Sequence, residues 1–179
     1  KKIEKKIIKL KKNKKFKIFV LVETAESIVN LKEICKSSKR IAGLIFGAED
    51  FLNDMNTIGF NKEINLDYPR SIIPIYAHAY GMDAIESPYL NLKDKKGYKR
   101  YLSKAKSYGY TGILNVHPLQ CDLANKLFYP TKKEFAVSKL IINSNKKLKY
   151  QNQNISVLKN KLVGPPMIKR AKKILEFLK

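Results

Sequence analysis

Two acidic residues stand directly after stretches that have the pattern of buried β-strands. Glu23 ends the apolar run Phe16–Glu23, and Asp50 closes the segment GAED that follows the run Arg40–Phe46. In parallel α/β folds, ligands gather beyond the carboxyl ends of the strands, so both carboxylates should face one crevice. Such a pair suits Mg²⁺, which takes one or two carboxylates and leaves its other positions to water and substrate. A lone acid at a strand end is commonly a helix cap, but two on adjacent strands predict a metal site that polarises a carbonyl oxygen.

The small residues before Asp50 suit the approach of a substrate. Gly47 and Ala48 would let a substrate carboxylate reach backbone N–H groups at the start of the following helix. A tight turn would explain Gly47 equally well. His117, at the end of another predicted strand, could serve as a general base, whereas we expect His78 to be a half-buried polar residue and Glu86 to have a packing or supporting role.

Strands and amphipathic helices alternate along the chain. The predicted strands are Phe16–Glu23, Arg40–Phe46, Asp83–Tyr89 and Thr111–His117. The predicted helices follow an apolar stripe (Ile3, Ile7, Ile8, Leu10), then a stripe of Ile28, Val29, Leu31 and Ile34, then the ranges Ser71–Tyr80, Gly97–Tyr108, Lys132–Asn145 and Pro166–Leu178. The start at Ser71 puts Pro74 in the first turn, where proline is tolerated. A polar stretch near Leu148–Lys161 joins the last two helices. This order indicates an α/β protein with parallel strands, in either a small doubly wound sheet or half of an eightfold barrel.

The charge is strongly basic, with 37 Lys and Arg against 15 Asp and Glu and a net charge of +22. The lysines are spread over most of the chain and are seldom interleaved with aromatic residues. Proteins that bind single-stranded nucleic acid require such interleaving. We therefore expect solvated lysines, some of them near a phosphate-rich ligand, and no nucleic-acid partner. Cys35 and Cys121 form neither a disulfide framework nor a metal-ligand spacing, which indicates a cytoplasmic protein. No apolar run approaches the ~20 residues of a membrane span, so no membrane partner is expected.

Five blocks along the chain resemble one enzyme family in their order and spacing. They are VETAESIVNLKEI, RIAGLIFGAEDF, AIESPYLNLKD, GYTGILNVHPLQ and FYPTKKEFAVSKLI. They resemble the citrate lyase β-subunit-like family of the HpcH/HpaI aldolase superfamily, which includes citryl-, malyl- and citramalyl-CoA lyases. The resemblance covers Phe16 to Leu178. Its specific part is ET paired with GAED about two dozen residues later and followed by HPxQ.

The resemblance implies a fold, a cofactor and a reaction. The family folds as a (β/α)₈ barrel of the phosphoenolpyruvate/pyruvate superfamily and holds Mg²⁺ on acids that correspond to Glu23 and Asp50. The backbone amides of Gly47, Ala48 and Glu49 would hold the carboxylate of the keto acid. The reaction would be retro-Claisen cleavage of a 3-hydroxyacyl-CoA thioester, which releases a keto-acid product. A homo-oligomer, either a trimer or a hexamer, is expected.

The chain also departs from the family pattern. It corresponds only to barrel strands 5–8 (residues 1–130) and a C-terminal helical extension (residues 131–179), so we expect a fragment that is inactive alone. The strands that it lacks include one with a substrate-binding Arg. Gly164 stands where many relatives carry a proton-transfer Asp, so the catalytic acid is unassigned. Two alternatives stay open: an aldolase acting on free hydroxy-keto acids with the same metal site, and a catalytically degenerate family member.

Overall fold

The computed structural model describes residues 5–6, 16–56, 66–149, 156–158 and 161–178. These residues form two compact units that divide between Phe128 and Tyr129. The apolar stripe predicted over Ile3–Leu10 lies outside the described residues. No helix within the described ranges is both long and apolar enough to cross a membrane.

The first unit is a parallel sheet flanked by helices. Its elements are β1 (Ile18–Val22), α1 (Ala25–Val29), α2 (Leu31–Lys36), β2 (Ile41–Phe46), α3 (Ala48–Asp54), α4 (Asp67–Ala79), β3 (Asp83–Glu86), α5 (Lys95–Tyr108), β4 (Gly112–Ile113) and α6 (Pro118–Phe128). The strands lie in the order β1-β2-β3-β4, and every neighbouring pair is parallel. The predicted α/β class, the four strands and their parallel arrangement are confirmed, although each strand is shorter than its predicted range.

The two faces of this sheet differ because side chains alternate along each strand. One face packs against the helices and forms the main core, which includes Val22, Leu44, Phe46, Ile73, Ala77 and Ala84. On the other face, Phe19 and Leu21 are 47% and 51% exposed. A Cβ on Gly43 would lie only 2.6 Å from the Phe19 ring, so the glycine makes room for that ring. Among the described residues, the second face of the sheet is therefore apolar and open at β1.

The helix predicted after Glu23 is two helices. The chain turns at Asn30, whose side-chain amide donates to the Glu26 carbonyl oxygen over 2.9 Å, and α2 begins at Leu31. The predicted stripe is wrong for Val29, which is 80% exposed, because the break at Asn30 rotates the apolar face.

The position of Pro74 was also predicted wrongly. α4 begins at Asp67, before the predicted start, so Pro69 lies in the first turn and Pro74 lies inside the helix, where it lacks the N–H for a helical hydrogen bond. Pro118, directly after the predicted strand Thr111–His117, is the first residue of α6, a helix that was not predicted, and this start suits the fixed backbone angle of proline.

The second unit has two helices around a small antiparallel ribbon. α7 (Lys132–Lys149) precedes β5 (Ser156–Leu158) and β6 (Lys161–Val163), and α8 (Pro165–Glu176) follows. Its buried cluster contains Ile141, Val163 and Ala171. Both predicted helices are confirmed, but the stretch predicted to be a polar connection contains β5, because three residues of it pair with β6.

Candidate metal site

The register of β1 and β2 places Glu23 and Gly47 side by side. Val22 pairs with Phe46 at the ends of these strands, and the Gly47 N–H donates to the Val22 carbonyl oxygen over 3.0 Å. α3 begins one residue later, so Asp50 lies in its first turn. Glu23 and Asp50 both line a cavity of about 810 Å³. The fold thus brings both predicted carboxylates to one cavity beyond the carboxyl ends of the strands.

The side chain of Glu23 fills the space beside Gly47. A Cβ on Gly47 would lie 2.6 Å from the Glu23 Cβ and 2.9 Å from its Oε2 atom. The Gly47 N–H is already engaged by the Val22 carbonyl. The N–H groups of Ala48 and Glu49 belong to the first helical positions, which have no acceptor inside a helix. Of the three amides that were expected to hold a carboxylate, that of Gly47 is therefore already engaged within the fold.

The turn that carries Glu23 is fixed by a capping box. Thr24 is the N-cap of α1, its Oγ1 accepts from the Ser27 N–H over 3.1 Å, and Ser27 Oγ accepts from the Thr24 N–H over 3.0 Å. Reciprocal bonds of this kind satisfy two backbone donors at a helix start. Because these bonds hold Thr24, the residue after Glu23, the direction of the backbone at Glu23 after the end of β1 is fixed.

The chemistry of the two carboxylates fits Mg²⁺. Within the described residues, Glu23 and Asp50 take part in no hydrogen bond or ion pair through their side chains, so both remain available as ligands. No group of three or more His, Cys, Asp or Glu side chains in the described part of the chain could hold a metal by itself. Two carboxylates with open positions match Mg²⁺, which usually completes its shell with water and substrate oxygens.

A buried polar network forms another wall of the same cavity. Arg70 Nε lies 3.4 Å from Glu86 Oε2, and Arg70 Nη2 donates to the Tyr101 hydroxyl over 3.1 Å. The N–H and hydroxyl of Ser87 both donate to Glu86 Oε1 over 2.8 Å. Burial, reinforced by the Glu86 charge, raises the pKa of Tyr101 to about 12. Glu86 thus has the expected supporting role, whereas the parts played by Ser87 and Tyr101 were not predicted.

The other candidate residues lie apart from this cavity or have structural partners. His117 is exposed, and its Nδ1 accepts from the Leu119 N–H over 3.2 Å at the start of α6. It lines a separate cavity of about 570 Å³. His78 is exposed, not half-buried, and its Nε2 lies 2.6 Å from the Gly109 carbonyl oxygen. Gly164 belongs to the second unit, where it is the N-cap of α8.

Known proteins resemble this chain over most of its length. The citrate lyase subunit beta of Haemophilus influenzae is 30% identical over 163 residues, which are 91% of this chain and 56% of that protein. The mitochondrial citramalyl-CoA lyase of Rattus norvegicus is 26% identical over 161 residues, 86% of this chain and 48% of that protein. The chain spans about half the length of the curated relatives that it matches.

A solved structure has the same fold. The protein CitE of Mycobacterium tuberculosis, in complex with magnesium, acetoacetate and coenzyme A, superimposes with a TM-score of 0.76 at 21% identity, covering 95% of this chain and 62% of that one. In sequence, residues 1–118 match the HpcH/HpaI aldolase/citrate lyase family. The chain therefore belongs to the HpcH/HpaI aldolase/citrate lyase family.

Proposed function

We propose that the whole protein containing this chain is a Mg²⁺-dependent carbon–carbon lyase. Its substrate would be a 3-hydroxyacyl-CoA thioester of the citryl, malyl or citramalyl type. The observation that carries this proposal is the pair of carboxylates, Glu23 and Asp50, which have no partner among the described residues and line one cavity at the carboxyl ends of β1 and β2. The names of the relatives, citrate lyase and citramalyl-CoA lyase, support the reaction class. The magnesium and coenzyme A in the CitE complex support the cofactor and the substrate class.

The residues of the chain have distinct roles in this proposal. Glu23 and Asp50 hold the ion, and bound Mg²⁺ supplies Lewis-acid polarisation of substrate oxygens. The N–H groups of Ala48 and Glu49 orient the carboxylate of the keto acid. When the carbon–carbon bond breaks, its electron pair passes to the α-carbon of the thioester and forms an enolate, and the hydroxyl group loses its proton to a general base and becomes the carbonyl of the product. The α-carbon then needs a proton, which Gly164 cannot donate because it has no acidic side chain.

We further propose that residues 1–130 are the C-terminal half of an eight-stranded barrel and residues 131–179 a C-terminal extension. The open apolar face of β1 supports this proposal. Proteins rarely leave a large apolar face in contact with water, so such a face is normally covered by another part of the protein or by a partner. The share of the relatives' length that the chain spans also supports it. Alone, the chain would lack the rest of the substrate-binding wall and would be inactive. A trimeric or hexameric assembly and a cytoplasmic location stay predictions.

One alternative keeps the same metal pair. An aldolase acting on free hydroxy-keto acids would need no coenzyme A site, and the family includes aldolases by name. A coupled assay of the whole protein against hydroxyacyl-CoA esters and free hydroxy-keto acids, with and without EDTA, separates these activities. A catalytically degenerate protein would turn over neither class.

The test of the metal pair is the Asp50→Ala variant of the whole protein. Loss of one of two carboxylate ligands should lower Mg²⁺-dependent cleavage of malyl- or citramalyl-CoA by about a thousandfold, because the metal supplies several kcal/mol of charge stabilisation. Asp122→Ala, which removes an exposed carboxylate on α6, should keep wild-type turnover. Unchanged turnover of the Asp50→Ala variant would overturn the proposal.

A further inference from the structure

A side-chain hydrogen bond joins the two segments that carry the carboxylate pair, in addition to the backbone bond from Gly47 to Val22. The Ala25 N–H donates to Asp54 Oδ2 over 2.7 Å, across 29 residues of sequence. Ala25 is the first residue of α1 and follows Glu23 by two positions, whereas Asp54 is the last residue of α3 and follows Asp50 by four. The bond therefore ties the turn that bears Glu23 to the helix that bears Asp50.

The Ala25 N–H needs a partner from outside its own helix. The first N–H groups of a helix have no intrahelical acceptor. The capping box between Thr24 and Ser27 satisfies the N–H groups of those two residues and leaves that of Ala25 to the Asp54 carboxylate. A hydrogen bond to an ionised acceptor is shorter and stronger than one between neutral groups, in keeping with the 2.7 Å distance.

The geometry of α3 links Asp54 to Asp50. Residues four apart on a helix lie on the same face, one turn from each other. Phe51 and Leu52, on the rest of the helix surface, are 5% and 4% exposed and anchor α3 in the core. With the helix fixed by these side chains, the bond from Asp54 to Ala25 holds the Glu23 turn against the face that carries Asp50.

We propose that Asp54 is a positioning residue for the metal site: its bond to Ala25 fixes the spacing between Glu23 and Asp50, so that both carboxylates can bind one divalent cation. The proposal rests on the proposed function, in which these two acids are the ligands. Asp54 itself does not contact the metal in this arrangement. It acts through the Glu23 turn.

The bond can be removed from either end with little other change. Asp54→Ala removes the acceptor, and Asp54→Asn keeps a carbonyl oxygen that can accept the same bond. Ala25→Pro removes the donor, and proline is well suited to the first position of a helix. The residue before a proline is restricted to extended backbone, and Thr24 already has φ −135° and ψ 157°.

The experiment measures Mn²⁺ affinity of the whole protein by electron paramagnetic resonance, with Mg²⁺ as competitor, beside thermal unfolding of each variant. Asp54→Ala should weaken Mn²⁺ binding by about tenfold, the usual effect of losing a residue that orients a metal ligand. Ala25→Pro should weaken Mn²⁺ binding to the same extent. The double variant should show no further loss, because the two substitutions remove the same hydrogen bond. Asp54→Asn and the charge control Asp122→Ala should keep wild-type affinity.

Several outcomes would overturn the proposal. Wild-type affinity in folded Asp54→Ala and Ala25→Pro variants would do so, as would losses from the two substitutions that add independently. The Asp50→Ala variant separates this failure from failure of the proposed function. If Asp50→Ala binds Mn²⁺ as the wild type does, the ligand assignment itself is wrong. If only Asp50→Ala loses binding, the metal pair stands and the role of Asp54 falls.

Discussion

At the scale of single residues, Gly47 shows how a neighbour can determine a residue type. Its backbone φ of −99° is open to any amino acid, so conformational freedom does not explain the glycine. The side chain of Glu23 does, because it fills the space that a Cβ would need. Gly47 therefore keeps the Glu23 carboxylate beside the first turn of α3.

Gly47→Ala should therefore disturb the metal site through a steric contact. The new methyl group would push the Glu23 Cβ, which lies close to the backbone and cannot simply rotate away. We expect Mg²⁺ affinity to fall about tenfold and the free energy of unfolding to fall by about 1–3 kcal/mol, the usual cost of an added methyl group in a packed site.

Calorimetric titration with Mg²⁺ and urea denaturation of the whole protein measure the two effects. Gly164→Ala is the matched control for Mg²⁺ affinity, since among the described residues the nearest atom to its Cβ would be Pro166 Cδ at 3.9 Å. Wild-type Mg²⁺ affinity in the Gly47→Ala variant would contradict the steric role of Gly47.

The sequence predicts the acid pair but not the network on the other wall. Glu23 and Asp50 each follow an apolar run, so the rule that ligands gather at strand ends brings them together without coordinates. Arg70 and Tyr101 lie 31 positions apart on different helices, and no local pattern links them. Their contact depends on how α4 and α5 pack against β3, which only the structure supplies.

At the scale of elements, the start of α5 is built around the Asp94 carboxylate. Asp94 Oδ1 accepts from the Gly97 N–H over 2.7 Å, and Oδ2 accepts from the Tyr89 hydroxyl over 2.9 Å. A Cβ on Gly97 would collide with both the carboxylate and that hydroxyl. This cap therefore fixes the helix start and also the position of Tyr89, which lines the cavity of the metal site.

The cap should make stability depend on pH. The Gly97 N–H, and after it the Tyr89 hydroxyl, lowers the pKa of Asp94 below its ordinary value of 3.8. A carboxyl group whose pKa is lowered by folding stabilises the folded state fully at pH values above its pKa in the unfolded chain. This contribution is lost as the pH falls through the lower pKa of the folded state. Asp94→Ala should thus unfold at a lower temperature than the wild type near neutral pH, and the difference should shrink as the pH falls below 3.8.

Thermal unfolding followed by circular dichroism over a series of pH values measures this difference. Asp122→Ala, in which the lost carboxylate caps no helix, should show no such pH-dependent gap. A gap for Asp94→Ala that stays constant from neutral to acid pH would contradict the capping role.

Among the elements, long apolar runs were the easiest to predict from sequence. All four strands were located, and the two longest, β1 and β2, lie within continuous apolar runs. The break between α1 and α2 was missed because Asn30 is not a strong signal for the end of a helix. Pro74 was expected in the first turn, where proline is preferred, but it lies inside α4. Burial explains how Pro74 is tolerated, since tertiary packing of α4 outweighs the loss of one hydrogen bond.

At the scale of the whole molecule, the unequal faces of the sheet carry the main inference. A sheet with parallel strands is normally covered on both sides. Here the helices cover one side, whereas the side that bears Phe19 and Leu21 is open. Strand spacing alone could not choose between a small doubly wound sheet and half of a barrel, because both give the same alternation of elements. The open face favours the half barrel.

The barrel proposal predicts that Leu21 is buried in the whole protein, although it is 51% exposed in this chain. Leu21→Ala should then lower the free energy of unfolding of the whole protein by about 2–5 kcal/mol, as truncation of a buried leucine does. Ile75, which is 60% exposed on α4, is the matched control. Ile75→Ala should change stability by only about 0.5 kcal/mol, as surface substitutions do. Urea denaturation measures both values, and a loss for Leu21→Ala as small as that for Ile75→Ala would contradict the proposal that further strands close over β1.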